Sequence, residues 1–354
     1  MADTHAKVKV AAVHAAPEFL DLDASVEKAC RLIEQAAAEG AGLVVFPEVF
    51  LPGYPFWIWT HKPADSAPLF AELFHNAVEL PSHATRLIGE AARRARAWVV
   101  MGLNERDGGT LYNTLAYFDD EGRLVARHRK LQPTNAERTI WGRGDGRDVF
   151  VLDTPFGRLG GLICFEHTMD LNRYALTAMG EQIHVAAWPA ISAMTADPNS
   201  SNFDNLTEAA CKYHALAAQV YVVCVQCRID ERAIERMGLT DQPDLIRVGG
   251  GWSAIIGPDA RPIAGPHRDD ETILYGDVDL GILPFAKFFC DSAGHYARPD
   301  IFSFGIDSRA QTPLGAPPAS IVAMPPLEDA GEEVDALPDG GGEPRMLIAP
   351  QPPI

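Results

Sequence analysis

Residues 8–16, VKVAAVHAA, form an almost continuously apolar run that is too short to span a bilayer and too unbroken for a half-exposed strand. A strand of this kind is buried on both faces, so helices must pack against its sheet. The next segment supplies one. Val26, Ala29, Cys30, Ile33, Ala36 and Ala37 keep a 3.6-residue spacing, with Glu27, Lys28, Arg31 and Glu34 opposite, which predicts a helix capped by Asp23 and closed by Gly40. Residues 43–46 read as the next buried strand, and residues 84–97 repeat the helical pattern before the strand at 98–103. Residues 114–118 and 123–127 flank Asp119-Asp-Glu-Gly122, a hairpin turn. Further strands are predicted at 159–165, 185–188, 221–227, 251–256 and 273–278, with helices near 171–180 and 203–218. Strands joined both by helices and by hairpins imply an α/β protein with mixed sheets.

The pattern stops near residue 307. Residues 308–354 hold 10 of the 27 prolines, and residues 327–343 hold seven acidic residues and no basic one. The expected organisation is one catalytic-sized domain, residues 1–307, followed by a flexible Pro/Gly-rich acidic tail, residues 308–354. The whole chain of 354 residues carries a formal charge of −18, which argues against nucleic-acid binding and against attachment to anionic lipid. With no long apolar run and no secretory pattern at its start, the chain is expected to be cytoplasmic and to have no membrane partner. Its six cysteines are scattered, as buried thiols in a reducing compartment are. Cys224 and Cys227 sit in a β-rich run, where a redox or metal role is not expected.

Three hydrophobic segments run directly into reactive side chains. Leu43-Val-Val-Phe-Pro-Glu48 ends on a carboxylate. Arg127-His-Arg-Lys130 follows the predicted hairpin strand and leads to Glu137. Gly160-Gly-Leu-Ile-Cys164-Phe-Glu166-His ends on a thiol. Each has an ordinary structural explanation, as a helix cap, a solvated basic face or a core thiol. Together they supply a nucleophile, a base and a cation, the set that acyl transfer through a thiol requires. A nearby ammonium is expected to lower the thiol pKa, and a carboxylate to take its proton during attack. Spacing alone leaves Glu48, Glu137 and Glu166 competing for the base and relay roles.

The segments Phe46-Pro-Glu48-Val-Phe-Leu-Pro-Gly-Tyr-Pro55, His128-Arg-Lys130-Leu-Gln-Pro-Thr-Asn-Ala-Glu137-Arg and Gly161-Leu-Ile-Cys164-Phe-Glu166-His resemble the three signature blocks of the nitrilases, in the carbon–nitrogen hydrolase superfamily. Gly109-Thr-Leu-Tyr-Asn-Thr114, Trp141-Gly-Arg-Gly-Asp-Gly146 and Gly294-His-Tyr-Ala-Arg-Pro-Asp300 extend the resemblance to about residue 305. It implies a four-layer αββα sandwich and a Glu48–Lys130–Cys164 triad, with Glu48 as general base, Lys130 stabilising the tetrahedral species and Cys164 attacking a nitrile carbon. Glu137 would position Lys130. The same resemblance implies no metal or organic cofactor, a small-molecule nitrile substrate, and homodimers that extend into larger oligomers or helical filaments.

Tyr54, Phe165 and Trp188 are the candidate substrate-binding residues, as apolar walls of a pocket. The sequence departs from the family pattern at Phe165, where Trp is usual, and at Asp170, where Pro is usual. Two other enzymatic readings remain open at this level. One is a related amidase, N-carbamoyl hydrolase or cyanide-degrading enzyme with the same triad. The other is a Cys–His hydrolase using His128, His167, His214 or His295. A third reading, a non-enzymatic filament scaffold, has the intact triad against it.

Overall fold

The computed structural model describes residues 6–197, 201–311 and the backbone of 346–347. In chain order these residues form β1 (Lys7–His14), α1 (Leu22–Ala38), β2 (Leu43–Val45), α2 (Ala67–His75), α3 (His83–Ala95), β3 (Trp98–Asp107), β4 (Thr110–Phe118), β5 (Leu124–Arg129), β6 (Val151–Thr154), β7 (Gly157–Ile163), α4 (Asp170–Ala178), β8 (Ile183–Trp188), α5 (Phe203–Ala218), β9 (Tyr221–Gln226), α6 (Glu231–Arg236), β10 (Ser253–Ile256), β11 (Pro262–His267), β12 (Thr272–Asp279), α7 (Leu283–Phe289) and β13 (Met346–Leu347).

The strands make two sheets, ordered β12-β1-β2-β3-β4-β5 and β11-β10-β9-β8-β7-β6-β13. Each has three parallel strands at its centre, β1-β2-β3 and β7-β8-β9, with antiparallel strands on both sides. The apolar run of β1 shows why both faces had to be hydrophobic. Val10 and Ala12 enter a core shared with Val185, Val223 and Ala254 of the opposite sheet. Ala11 and Val13 face α1 and α3, through Val26, Ile33, Ile88 and Ala91. On the far side of the second sheet, Ala175 and Leu176 of α4 pack on Val151 and Leu162, and Cys211 and Ala215 of α5 join the core around β9. The layers are therefore helix, sheet, sheet, helix, the αββα sandwich expected from the resemblance.

Several boundaries differ from the pattern reading. Asp21, not Asp23, caps α1, its side chain accepting from Ala24 N at 3.1 Å, while Asp23 lies in the first turn. The elements α2, α6, α7, β6 and β11 were not anticipated. Of these, α7 and β11 are short and half-exposed and β6 is only four residues long, so their apolar periodicity is weak. The expected tail lies almost wholly outside the described residues. At its start, Gln311 N donates to Asp145 at 3.0 Å, and just before it Ile306 packs on the α4 side of the second sheet. No helix among the described residues is long and apolar enough to cross a membrane.

Candidate active site

The carboxyl ends of central parallel strands are where open α/β sheets gather reactive groups. Here two such ends converge, one from each sheet. After β2 the chain turns back along β3, with Phe46 N bonded to Val100 O and Leu51 N to Gly102 O, and Glu48 lies at the apex. Val49 takes φ +43°, unusual for a β-branched residue, so the turn is held by its surroundings. Gly102 makes that turn possible, since a Cβ there would lie 2.0 Å from Pro47 O. After β7 the chain enters a tight helical turn, Cys164–Thr168, with Cys164 itself at φ +51°. A left-handed non-glycine residue costs on the order of 1–2 kcal/mol and sets the thiol on a sharp strand-to-helix corner. Lys130 is the first residue beyond β5, its N–H bonded to Asn113 O and its carbonyl accepting from Gly144 N. Glu137 rides on the short turn Asn135–Thr139.

These four side chains meet in the interior, all nearly inaccessible. Lys130 Nζ donates to Glu48 Oε1 at 2.9 Å and to Glu137 Oε2 at 2.7 Å. A carboxylate oxygen from each glutamate and the sulfur of Cys164 lie within 4.8 Å of one another. Asn113 Nδ2 also donates to Glu48 Oε1, at 2.5 Å, leaving Oε2 of Glu48 without a partner among the described residues. Glu137 accepts in addition from Tyr54 OH at 2.8 Å and from Thr134 N at 2.7 Å. Asn113 was not singled out in the sequence. The strand β4 carries it to Glu48, and only the sheet pairing could have shown that.

Protonation follows from burial and from the two-to-one excess of carboxylates over ammonium. Burial raises Glu48 to about 7, although Lys130 pulls the other way. Burial works against the Lys130 charge, but Glu137 and Glu48 outweigh it and hold the ammonium well above its ordinary pKa. The thiol reverses the expectation drawn from its neighbour. Burial pushes Cys164 well up, Lys130 opposes this, and the two glutamates reinforce it. Cys164 therefore rests as a neutral thiol beside a carboxylate whose pKa is close to neutrality.

A cavity of ≈ 130 Å³ opens over the sulfur, with Tyr54, Trp59, Phe165, Ile191 and Phe203 among its walls. Tyr54 and Phe165 both line this cavity, and Tyr54 is also bonded into the carboxylate–lysine array. Trp188 is not brought there. It is fully buried behind Phe165 and Phe203, with ring centroids 5.9 Å from each, and borders an adjoining cavity instead. Glu166 turns away from the sulfur. Its Oε1 accepts from Leu131 N at 2.7 Å, and its Oε2 accepts from Ile163 N and pairs with His128, both at 2.8 Å. It thereby clamps the residue after Lys130 to the residue before Cys164. Burial alone would discharge this pair, but Glu166 and His128 compensate, raising His128 to about 9 and lowering Glu166.

The histidines of the Cys–His reading are engaged elsewhere. His128 Nδ1 is bonded to Asp148 O, His167 Nδ1 to the carbonyl of Cys164, His214 Nε2 to Glu181, and His295 is exposed. Cys224 and Cys227 are free and buried, and burial pushes Cys227 up to about 12, the opposite of an activated thiol. Among the described residues, two groups of side chains have the donor types and spacing for a metal ion, Glu48–Glu137–Cys164 and Glu181–His184–His214. In the first, the Lys130 ammonium already bridges the two carboxylates.

The carbon–nitrogen hydrolase family model matches residues 9–284. An aliphatic nitrilase of Rhodococcus rhodochrous is 42% identical over 346 residues, 96% of this chain and 94% of that protein. A nitrilase of a Bacillus species is 40% identical, covering 87% of this chain and 90% of its own length. Among solved structures, a carbon–nitrogen hydrolase from Helicobacter pylori superposes with a TM-score of 0.68 at 19% identity, over 84% of this chain and 97% of that one, which bears on the fold alone. The chain belongs to the carbon–nitrogen hydrolase family, among its nitrilases.

Proposed function

We propose that this chain hydrolyses a nitrile to the carboxylic acid and ammonia, with Glu48, Lys130 and Cys164 as the catalytic residues and Glu137 positioning Lys130. The observation that carries the assignment is Lys130 bonded to both glutamates beside a buried thiol. Cys164 Sγ attacks the nitrile carbon as Glu48 Oε2, the unpartnered oxygen, takes the thiol proton and passes it to nitrogen. The product of this step is a thioimidate. A base with a pKa of about 7 suits that transfer, because a neutral thiol needs its proton removed only at the moment of attack. Negative charge develops on the nitrogen, where the Lys130 ammonium can donate to it. A water deprotonated by Glu48 adds to the thioimidate, ammonia leaves with the returned proton, and a thioester remains. A second water releases the acid and restores the thiol.

The apolar walls and modest volume of the cavity favour small-to-medium aliphatic or arylaliphatic nitriles. The catalytic unit is residues 1–307, with residues 308–354 as a Pro/Gly-rich acidic extension, and the protein is cytoplasmic. The exposed Leu171, Tyr213 and Leu216 on α4 and α5, with Phe285, Phe288 and Phe289 on α7, support self-association into homodimers and longer filaments. The test of function is ammonia release from a panel of aliphatic, aromatic and arylacetonitrile substrates beside the matching amides. Turnover of nitriles to acids is expected, and turnover of the amides alone would overturn the assignment.

A further inference from the structure

Beneath Cys164, between the second sheet and its covering helices, lies a second buried array of titratable groups that the proposed chemistry does not use. It draws one residue from each of four places: His167 from the Cys164–Thr168 turn, Glu181 from the loop before β8, His184 from β8 and His214 from α5. The links are continuous. His167 Nδ1 meets the carbonyl of Cys164 at 2.7 Å, His167 Nε2 meets His184 Nε2 at 2.9 Å, His184 Nδ1 meets Glu181 Oε1 at 2.7 Å, and His214 Nε2 meets Glu181 Oε2 at 2.9 Å. All four side chains are essentially inaccessible. The fold makes room for them. A Cβ on Gly160 would lie 2.1 Å from Glu181 Oε1, and Trp188 stacks on His167 at 5.1 Å and 26°. This is why Trp188 faces inward rather than into the substrate cavity.

Counting donors fixes the proton inventory. A backbone carbonyl only accepts, so His167 Nδ1 carries a proton. One proton lies between the two Nε2 atoms. With Glu181 ionised, a third lies on His184 Nδ1 and a fourth on His214 Nε2. The pair His167–His184 therefore holds three protons on four nitrogens, one more than two neutral rings carry. Glu181 balances that charge, and its carboxyl stays low, at about 2, because burial is outweighed by His184 and His214. Burial keeps His167 well below its ordinary pKa, and its neighbour His184 adds to that effect. Arg173 of α4 is the other charge facing His167 and His214, and it is drawn to Asp170 and the ring of Tyr213.

The peptide gripped by His167 is the one that follows the nucleophile. Its carbonyl points to His167, and its N–H, that of Phe165, points to the Cys164 sulfur. We propose that His167, His184, Glu181 and His214 are one positioning unit, a buried, proton-loaded strut that fixes the left-handed Cys164 corner and aims the Phe165 N–H at the sulfur. The proposal rests on the nitrilase assignment for its effect on turnover, but its effect on the thiol can be read without any nitrile.

The test compares His167→Phe, His167→Asn and Glu181→Leu with the native protein. The readouts are the rate of Cys164 alkylation by iodoacetamide, kcat and KM on a hydrolysed nitrile, and thermal melting. His167→Phe keeps a ring beside Trp188 but loses the donor, and should lower both alkylation and kcat at least about tenfold with KM within about twofold. The Nδ2 of Asn occupies the place of His Nδ1, so His167→Asn should recover to within about threefold. Glu181→Leu removes the acceptor of both His184 Nδ1 and His214 Nε2 and leaves the extra proton unbalanced, so the same tenfold loss is expected without contact with substrate. Glu181→Leu at native rates of alkylation and turnover overturns the proposal, as does His167→Asn no better than His167→Phe. If His167→Phe does not fold, the other two variants decide. If the native protein hydrolyses no nitrile, the function assignment fails while the alkylation rates still judge the strut.

Discussion

Gly102 sits on β3 against the turn that carries Glu48, and replacing it with Ala perturbs the site without touching a reacting group. The new Cβ would lie 2.0 Å from Pro47 O and 2.7 Å from Val49 N, both backbone atoms on either side of Glu48. Relief to a tolerable contact needs a movement of about 1 Å. The strand cannot supply it, because β3 is paired with β2 on one side and along its whole length with β4 on the other. The turn must move instead, carrying the Glu48 carboxylate away from Lys130 and the sulfur. A misplacement of about 1 Å in a catalytic array is worth roughly 100-fold in rate, and overpacking costs about 1–3 kcal/mol of stability. The assay is kcat on a hydrolysed nitrile together with a thermal melt, using Gly109→Ala as control, since no atom lies within 4 Å of a Cβ there. Gly102→Ala is expected to lose about 100-fold in kcat while remaining folded, and the control to match the native protein. A Gly102→Ala protein with native kcat would refute the claim that the rigid approach of β3 sets the position of Glu48.

The remaining predictions concern the charges of the site. Burial raises Glu48 to about 7 from an ordinary carboxylate value, so its base form is lost as pH falls through 7, and kcat/KM should rise with pH to a plateau above that point. The stability sign is the reverse, since a raised carboxyl pKa makes folding less favourable as pH climbs from about 4.5 to 7, and Glu48→Gln should flatten that part of the pH–stability curve. Lys130→Met leaves two buried carboxylates without their cation. Activity should fall by at least about 100-fold, and stability by about 3–5 kcal/mol in urea unfolding. Glu166→Gln weakens the clamp between Leu131 and Ile163 and strands the His128 charge, so a similar loss of stability is expected, with activity falling less than in Cys164→Ala.

The sequence made the strands and their reactive ends readable for a local reason: a buried parallel strand needs a continuous apolar run, and the residue where that run stops is visible in one dimension. Glu48 and Cys164 lie at such points, Lys130 follows the hairpin strand, and family motifs add Glu137. What could not be read depends on pairing between distant segments. Asn113 reaches Glu48 because β4 is registered against both β3 and β5. Glu166 was a candidate base until the fold turned its oxygens toward Leu131 and Ile163. The thiol pKa was misjudged from the proximity of one lysine, because burial and a second carboxylate are properties of the assembled interior. Trp188 looked like a pocket wall as an aromatic at a strand end, but the second layer of histidines claims its ring.

The central claim is that Cys164 forms the covalent intermediate with Glu48 as its base. Rapid acid quenching of the protein during nitrile turnover, followed by peptide mass spectrometry, tests it directly. The account predicts an acyl or imidoyl adduct on the peptide containing Cys164, diminished in Glu48→Gln and absent in Cys164→Ala along with all turnover. Sustained nitrile hydrolysis by Cys164→Ala, or an adduct on another residue, would contradict it.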